Sequence, residues 1–199
     1  MRMYRCRLPR SEAKPCSELY RKALLHIRSD TSLNATSTPR PGETYQVKDH
    51  IRDLFINQMK ADSAANTNGN HVVVSHSMGT VISYDCLKNV ADCPGIDGYM
   101  TLGSPLGISE VHDNFKPTYT ANDAFPSEKV SGNWVNVYDR LDPVAFDSHL
   151  TNDYKKGGVE VVTDQRVRND GAWRHSAWKY YGQHGQQSLC DHLKELLDL

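Results

Sequence analysis

The chain has 199 residues, a length that fits one domain, which we predict to span residues 1–199 with a weakly defined segment at 1–44. Its 23 basic and 24 acidic side chains leave a net charge of −1, which argues against nucleic-acid binding and against an acidic tail. The five cysteines are odd in number and lack a paired spacing, which excludes a full disulfide framework and favours a reducing, cytoplasmic compartment.

The N-terminal part of the chain carries few structural signals. Its first ten residues lack the apolar core of a secretory signal, and nowhere does an apolar run approach the roughly 18 residues of a membrane span. Apolar spacing predicts a helix over residues 11–28, and a Thr-, Ser-, Asn- and Pro-rich stretch predicts a loop over 30–42. A clear apolar stripe predicts a helix over 45–61.

Short strand-like runs then alternate with helical patterns. The predicted strands are residues 71–75, 98–102, 134–138 and 159–163, and the predicted helices are 79–88 and 188–197. Runs of β-branched residues without polar alternation are typical of strands buried on both faces. The alternation predicts a three-layer α/β domain with a mostly parallel sheet.

Residues 72–80 carry the most specific chemical signal, Val-Val-Val-Ser-His-Ser-Met-Gly-Thr. A strand, a sharp turn and a helix follow one another here, with Ser77 at the apex of the turn. A serine hydroxyl is a useful nucleophile only when it is exposed, held in place and next to a base. Ser75 is the competing nucleophile, and a helix start capped by a serine is the plainer interpretation. The small Gly79 two residues after Ser77 favours Ser77.

This segment resembles the nucleophile elbow G-x-S-x-G of the α/β-hydrolase superfamily, with Ser75 where the first glycine is usual. The resemblance implies a Ser-His-Asp triad in the chain order serine, acid, histidine. We expect the sheet to lack some N-terminal strands of the superfamily. The resemblance also implies that the N–H of Met78 forms part of an oxyanion hole. The usual His-Gly pair for the second donor is absent before residue 70. Either an atypical loop supplies that donor, or the chain is a shortened version of longer relatives.

The resemblance directs the search for the acid to the end of a later strand. Asp142 follows the predicted strand 134–138 and precedes a proline, so we assign it as the residue that orients the histidine. Asp139 is the runner-up. The plainer interpretation of Asp142 is a turn aspartate, because Asp-Pro is common in turns.

Three histidines follow the last predicted strand and fit the implied order. His175 stands on a loop about a dozen residues past that strand, as the resemblance implies, and is preferred as the base. His184 lies in a plausible loop, and His192 stands among leucines on the final predicted helix. His71 and His76 have no third ligand in view, which disfavours a zinc site.

Three further segments are similar to a group of bacterial lipase/esterase-like hydrolases, and the likeness covers about residues 45–185. They are residues 102–107, 136–144 and 175–177. The resemblance implies hydrolysis of a carboxylic ester, with a small-molecule ester or lipid as substrate and no cofactor or metal. A non-catalytic hydrolase-like binding protein, or the same triad acting on peptides, on thioesters or in acyl transfer, stays open. The thin apolar content makes a homodimer a reasonable hypothesis.

The stretch between the second and third predicted strands carries three aromatic residues. Phe115, Tyr119 and Phe125 could line an acyl pocket, or they could pin a long loop to the core. The two interpretations are equally supported by the sequence.

Overall fold

The structure is a computed structural model that describes residues 3–6, 47–65, 69–182 and 187–198. The helix predicted over 11–28 and the loop predicted over 30–42 lie outside these residues. The strands are β1 (Met3–Cys6), β2 (Val72–His76), β3 (Gly98–Leu102), β4 (Trp134–Asp139) and β5 (Val162–Val167). The helices are α1 (Val47–Ala65), α2 (Met78–Asn89), α3 (Ser109–Asp113), α4 (Ala177–Gly182) and α5 (Gln187–Leu197), with a 3₁₀ turn at Ala121–Asp123.

The five strands form one sheet in the order β1-β2-β3-β4-β5. Strands β2 to β5 are parallel, and β1 pairs with β2 in the antiparallel direction. The mostly parallel sheet is confirmed, but β1 was not predicted, because four residues of mixed polarity give no strand pattern. The carboxyl ends of β2, β3 and β4 meet at one edge, where a parallel sheet presents its loops.

The last predicted strand was placed three residues too early. Val159 is 62% exposed and lies opposite Lys156 across a tight turn, and the two residues exchange both backbone hydrogen bonds. Gly157 and Gly158 form this turn at φ 56° and 81°. The apolar run therefore begins in a hairpin, and the true β5 tolerates polar residues because it is an edge strand.

Side chains alternate between the two faces of the sheet and build two apolar clusters. On one face, Val73, Tyr99 and Trp134 pack with buried residues of α1 and α2. On the other face, Val74 and Met100 pack with buried residues of α4 and α5. Helices thus cover both faces, and the prediction of a three-layer α/β domain is confirmed.

The cysteines divide into two kinds. Cys86 and Cys93 are free thiols in the core, and burial raises the pKa of Cys86 to about 12 and that of Cys93 to about 11. Cys190 is disulfide-bonded, which the cysteine count did not predict, so this count is a poor guide to the redox compartment. Within the described parts of the chain, no helix is long and apolar enough to cross a membrane.

Candidate active site

Ser77 stands at the turn between β2 and α2. Its backbone has φ 57° and ψ −133°, a conformation that a residue with a side chain adopts at a cost of about 1–3 kcal/mol. The N–H of Ser77 donates to the carbonyl of Leu102 at 3.1 Å, and its carbonyl accepts from Thr80 N and Oγ1 at 2.9 and 2.7 Å. These bonds hold the strained turn and direct the Ser77 side chain toward the cleft.

Ser75 is completely buried beneath this turn. Its hydroxyl accepts a hydrogen bond of 3.0 Å from Ser83 Oγ, which also contacts the hydroxyl of Tyr99 at 2.6 Å. The serine at the position where glycine is usual thus has polar partners in the core. Burial leaves Ser75 out of reach of a substrate, so Ser77 is the accessible hydroxyl of the pair.

A continuous chain of hydrogen bonds joins the three residues that the sequence analysis assigned. Ser77 Oγ lies 2.7 Å from His175 Nε2, and His175 Nδ1 lies 2.9 Å from each carboxylate oxygen of Asp142. A carboxylate only accepts, so Nδ1 carries the proton and Nε2 is the acceptor for the Ser77 hydroxyl. The arrangement leaves His175 ready to take a proton from Ser77.

Asp142 is held as a carboxylate. Burial of its side chain acts to raise its pKa, but hydrogen bonds from His175, Tyr180 and the Val144 N–H outweigh burial and lower the pKa below the ordinary value. The Tyr180 hydroxyl donates to Oδ2 at 2.6 Å, and Val144 N donates to Oδ1 at 2.9 Å. An ionised partner fixes the tautomer of His175 and stabilises its protonated form.

The rival residues lie elsewhere. Asp139 accepts hydrogen bonds from Leu141 N and Asn169 N rather than from His175. His192 lies on α5 with Nε2 3.2 Å from Gln165 Oε1, and His184 falls outside the described residues. The structure therefore brings together Ser77, Asp142 and His175 and none of the alternatives that it describes.

The aromatic residues of the long loop belong to the core. Phe115 and Phe125 are 5% and 3% exposed and pack in the same apolar cluster as Trp134. The hydroxyl of Tyr119, which packs against that cluster, donates to the carbonyl of Asp153. Of the two interpretations, the structure bears out the loop pinned to the core.

Ser77 opens into a cleft of about 330 Å³. Its lining residues are His76, Ser77, Met78, Gly79, His175, Ser176 and Ala177. Met78 begins α2, where backbone N–H groups have no acceptor within the helix, and this end of a helix favours negative charge. The Met78 N–H can therefore serve a developing oxyanion. The sequence analysis assigned no residue as the second donor, and residues 7–46 lie outside the described part of the chain.

His76 supports His175 and was not predicted to do so. Its Nε2–H donates to the carbonyl oxygen of His175 at 2.8 Å, and the two imidazole rings lie 4.7 Å apart. Tyr180 is a second support that the sequence analysis missed. The position of His76 beside Ser77 could have suggested a role, whereas Tyr180 lies on α4 with no local signal.

No protein-family model matches the chain, and a search of curated proteins finds no match. Among the residues that the structure describes, no group of three or more potential ligand side chains could hold a metal ion. A second cavity of about 550 Å³ is bordered by α1, α2 and the loop after α3, and shares no lining residue with the cleft. Of these two cavities of the described residues, the cleft is the one lined by a serine hydroxyl within hydrogen-bond distance of a histidine.

Proposed function

We propose that the chain is a serine hydrolase of the α/β-hydrolase type that cleaves carboxylic esters through Ser77, His175 and Asp142. One observation carries the proposal. It is the unbroken chain of hydrogen bonds from Ser77 Oγ through His175 to a buried carboxylate, with Ser77 on a strained strand-to-helix turn. Nucleophile, base and orienting acid in this order are the arrangement that acyl transfer to a serine requires.

The first half of the reaction makes an acyl-enzyme. Ser77 Oγ attacks the ester carbonyl carbon while His175 Nε2 takes the hydroxyl proton, and the carbonyl oxygen becomes an oxyanion beside the Met78 N–H. The intermediate collapses, the bond to the alkoxy oxygen breaks, and His175 returns its proton to the leaving alcohol. The acyl group is then esterified to Ser77.

The second half repeats these steps with water. His175 removes a proton from a water molecule, which attacks the acyl carbon, and the Ser77–acyl bond breaks when the proton passes back to Ser77 Oγ. A carboxylic acid leaves, and the enzyme returns to its starting state. Asp142 stabilises the imidazolium twice in each cycle.

Exposed apolar side chains support an acyl substrate. Seven large apolar residues are exposed in the described chain, and five of them lie within four residues of Ser77, Asp142 or His175. These five are Met78, Leu141, Phe146, Trp173 and Trp178. Met78 lines the cleft, and the chain length of at most about 3.6 Å per residue keeps the other four within about 15 Å of Asp142 or His175. Apolar surface near a nucleophile favours substrates with a hydrocarbon portion.

Hydrolysis of p-nitrophenyl acetate, butyrate and octanoate tests the proposal. We expect the wild type to hydrolyse these esters and Ser77→Ala to lose the activity, by about 10⁴-fold or more in kcat. Ser75→Ala is the matched control two positions earlier, and it should keep most of the activity because its hydroxyl is buried. A folded wild type without activity on any of the esters would contradict the proposal.

A further inference from the structure

The carboxylate of Asp139 connects the segment before Asp142 to the segment before His175. Asp139 does not line the cleft. Its side chain is 4% exposed at the end of β4. Oδ1 accepts from Leu141 N at 2.9 Å, and Oδ2 accepts from Asn169 N at 2.7 Å and from Arg174 Nη1 at 3.1 Å. Every one of these bonds is to a carboxylate, the stronger kind of hydrogen bond.

These bonds reach the segments that carry Asp142 and His175. Leu141 directly precedes Asp142, whose N–H also donates to the carbonyl of Asp139 at 3.0 Å. Arg174 directly precedes His175. One buried carboxylate therefore ties together the backbone that carries the acid and the backbone that carries the base.

The segment before His175 is also closed on itself. Asn169 is completely buried, its Nδ2 donates to the carbonyl of Arg174 at 2.8 Å, and Arg174 Nη1 donates back to the carbonyl of Asn169. Gly171 allows the turn between them at φ 71°. The turn is anchored by these side chains and Asp139, and Lys179 Nζ also donates to the carbonyl of Asp170. Because Asp139 and Arg174 supply several of these bonds, the position of the turn depends on their ion pair.

We infer that Asp139 and Arg174 are positioning residues that set the distance between His175 Nε2 and Ser77 Oγ. The inference rests on the proposed function. A displacement of about 1 Å at a reacting group can lower a rate by about 10²-fold, so an ion pair remote from the substrate can affect kcat. Loss of the ion pair should leave KM almost unchanged, since neither side chain borders the cleft.

Three variants test the inference: Asp139→Asn, Arg174→Met and the two combined. Each single variant should lower kcat by about 10- to 100-fold and change KM by less than about twofold. Each should also unfold at lower urea concentration, because it leaves a buried charge or donor without its partner. The double variant should recover part of the stability, while its kcat stays low. Recovery of kcat together with stability would show a merely structural role and overturn the inference.

A second ion pair provides the matched control. Arg52 Nε lies 2.7 Å from Asp85 Oδ2, with side-chain exposures of 23% and 8%, close to the 22% and 4% of Arg174 and Asp139. The double variant Arg52→Met/Asp85→Asn should change kcat by less than about twofold. Arg174→Lys should give a kcat between those of wild type and Arg174→Met, because lysine restores the charge but not the fork of donors.

A readout independent of turnover separates this inference from the proposed function. The Nδ1 proton of His175 is held by Asp142 and should give a low-field proton NMR signal in the wild type. Loss or broadening of that signal in Arg174→Met supports the inference even if no ester is hydrolysed. An unchanged signal in Arg174→Met overturns the inference. An unchanged kcat in Arg174→Met also overturns it, provided that the activity of the wild type depends on Ser77.

Discussion

Ser77 and His175 meet across 2.7 Å, but the segments that carry them are stabilised in different ways. The turn at Ser77 joins a strand to a helix, and its bonds to Leu102 and Thr80 are made by backbone groups and one hydroxyl. The segment 169–176 has no regular structure over most of its length. It is held by Asp139 of β4, by His76, by Lys179 of α4 and by its own internal bonds.

The difference determines how each part of the site can fail. The position of Ser77 follows from the sheet, so few single side chains outside the turn can move it. The position of His175 depends on charged and polar side chains distant in sequence, so substitutions there can reduce the rate while the fold persists. The fold holds Ser77 in place, and a network of side chains holds His175.

The largest expected effect tests whether the two segments form one site. Ser77→Ala and His175→Ala should each lower kcat by about 10⁴-fold or more, and the double variant should be no worse than either single one. Residues that act as a unit in one step show this lack of additivity.

His192→Ala is the control for the second histidine. It removes the bond to Gln165 of β5, a residue that does not line the cleft, and should change kcat by less than about twofold. Full additivity of Ser77→Ala and His175→Ala, or a large loss in His192→Ala, would contradict a single site built from Ser77 and His175.

The two segments also differ in how far the sequence predicts them. The β-branched run before Ser77 and the small residue after it indicate a strand and a turn from nine consecutive residues. His175 could be preferred only through its place in the implied order, because nothing near it shows that Asp142 lies within reach. The sequence favoured Asp142 over Asp139 by its place before a proline, and the structure supports that choice because Asp142 contacts His175.

Other features could not be predicted from the sequence for a similar reason. Strand β1 and the supports His76, Tyr180 and Arg174 owe their roles to contacts across 35 or more positions along the chain. Strand β5 was predicted too early because Val159 and Val162 are the same residue type. The sequence does not show that Val159 is exposed in a hairpin while Val162 is buried. Periodicity reports local burial, and it cannot report which distant residue provides a partner.

Tyr180→Phe tests, through the pH dependence of stability, whether the Tyr180 hydroxyl stabilises the Asp142 carboxylate. The pKa of Asp142 is lowered in the folded state, so its bonds contribute stability above the unfolded pKa of about 3.9, and this contribution is lost as pH falls through the folded pKa. Removing the Tyr180 hydroxyl should lower the free energy of unfolding by about 1.5–3 kcal/mol at pH 7. The loss should be smaller near pH 3. Urea unfolding at both pH values measures it.

Tyr84→Phe is the matched control for this pH dependence. Tyr84 is equally buried, but its hydroxyl donates at 2.8 Å to the uncharged carbonyl of Ala124. Its loss of stability should be the same at both pH values. An equally pH-independent loss in Tyr180→Phe would contradict the role assigned to the Asp142 carboxylate.

The smallest expected effect concerns backbone strain at Ser77. Glycine adopts a positive φ without a steric penalty, so Ser77→Gly should be more stable than Ser77→Ala by about 1 kcal/mol in urea unfolding. The exposed helix position Ala61 is the control, where Ala61→Gly should instead lose up to about 1 kcal/mol. Equal or lower stability of Ser77→Gly would show that the turn is not strained.

Covalent labelling by a fluorophosphonate tests the central claim most directly. The reagent phosphonylates a serine that an adjacent base has activated, and peptide mass spectrometry locates the modified residue. We predict modification at Ser77 in the wild type, none in Ser77→Ala and a strongly slowed reaction in His175→Ala. A folded wild type that stays unlabelled, or that is labelled at another serine such as Ser176, would contradict the assignment of Ser77 as an activated nucleophile.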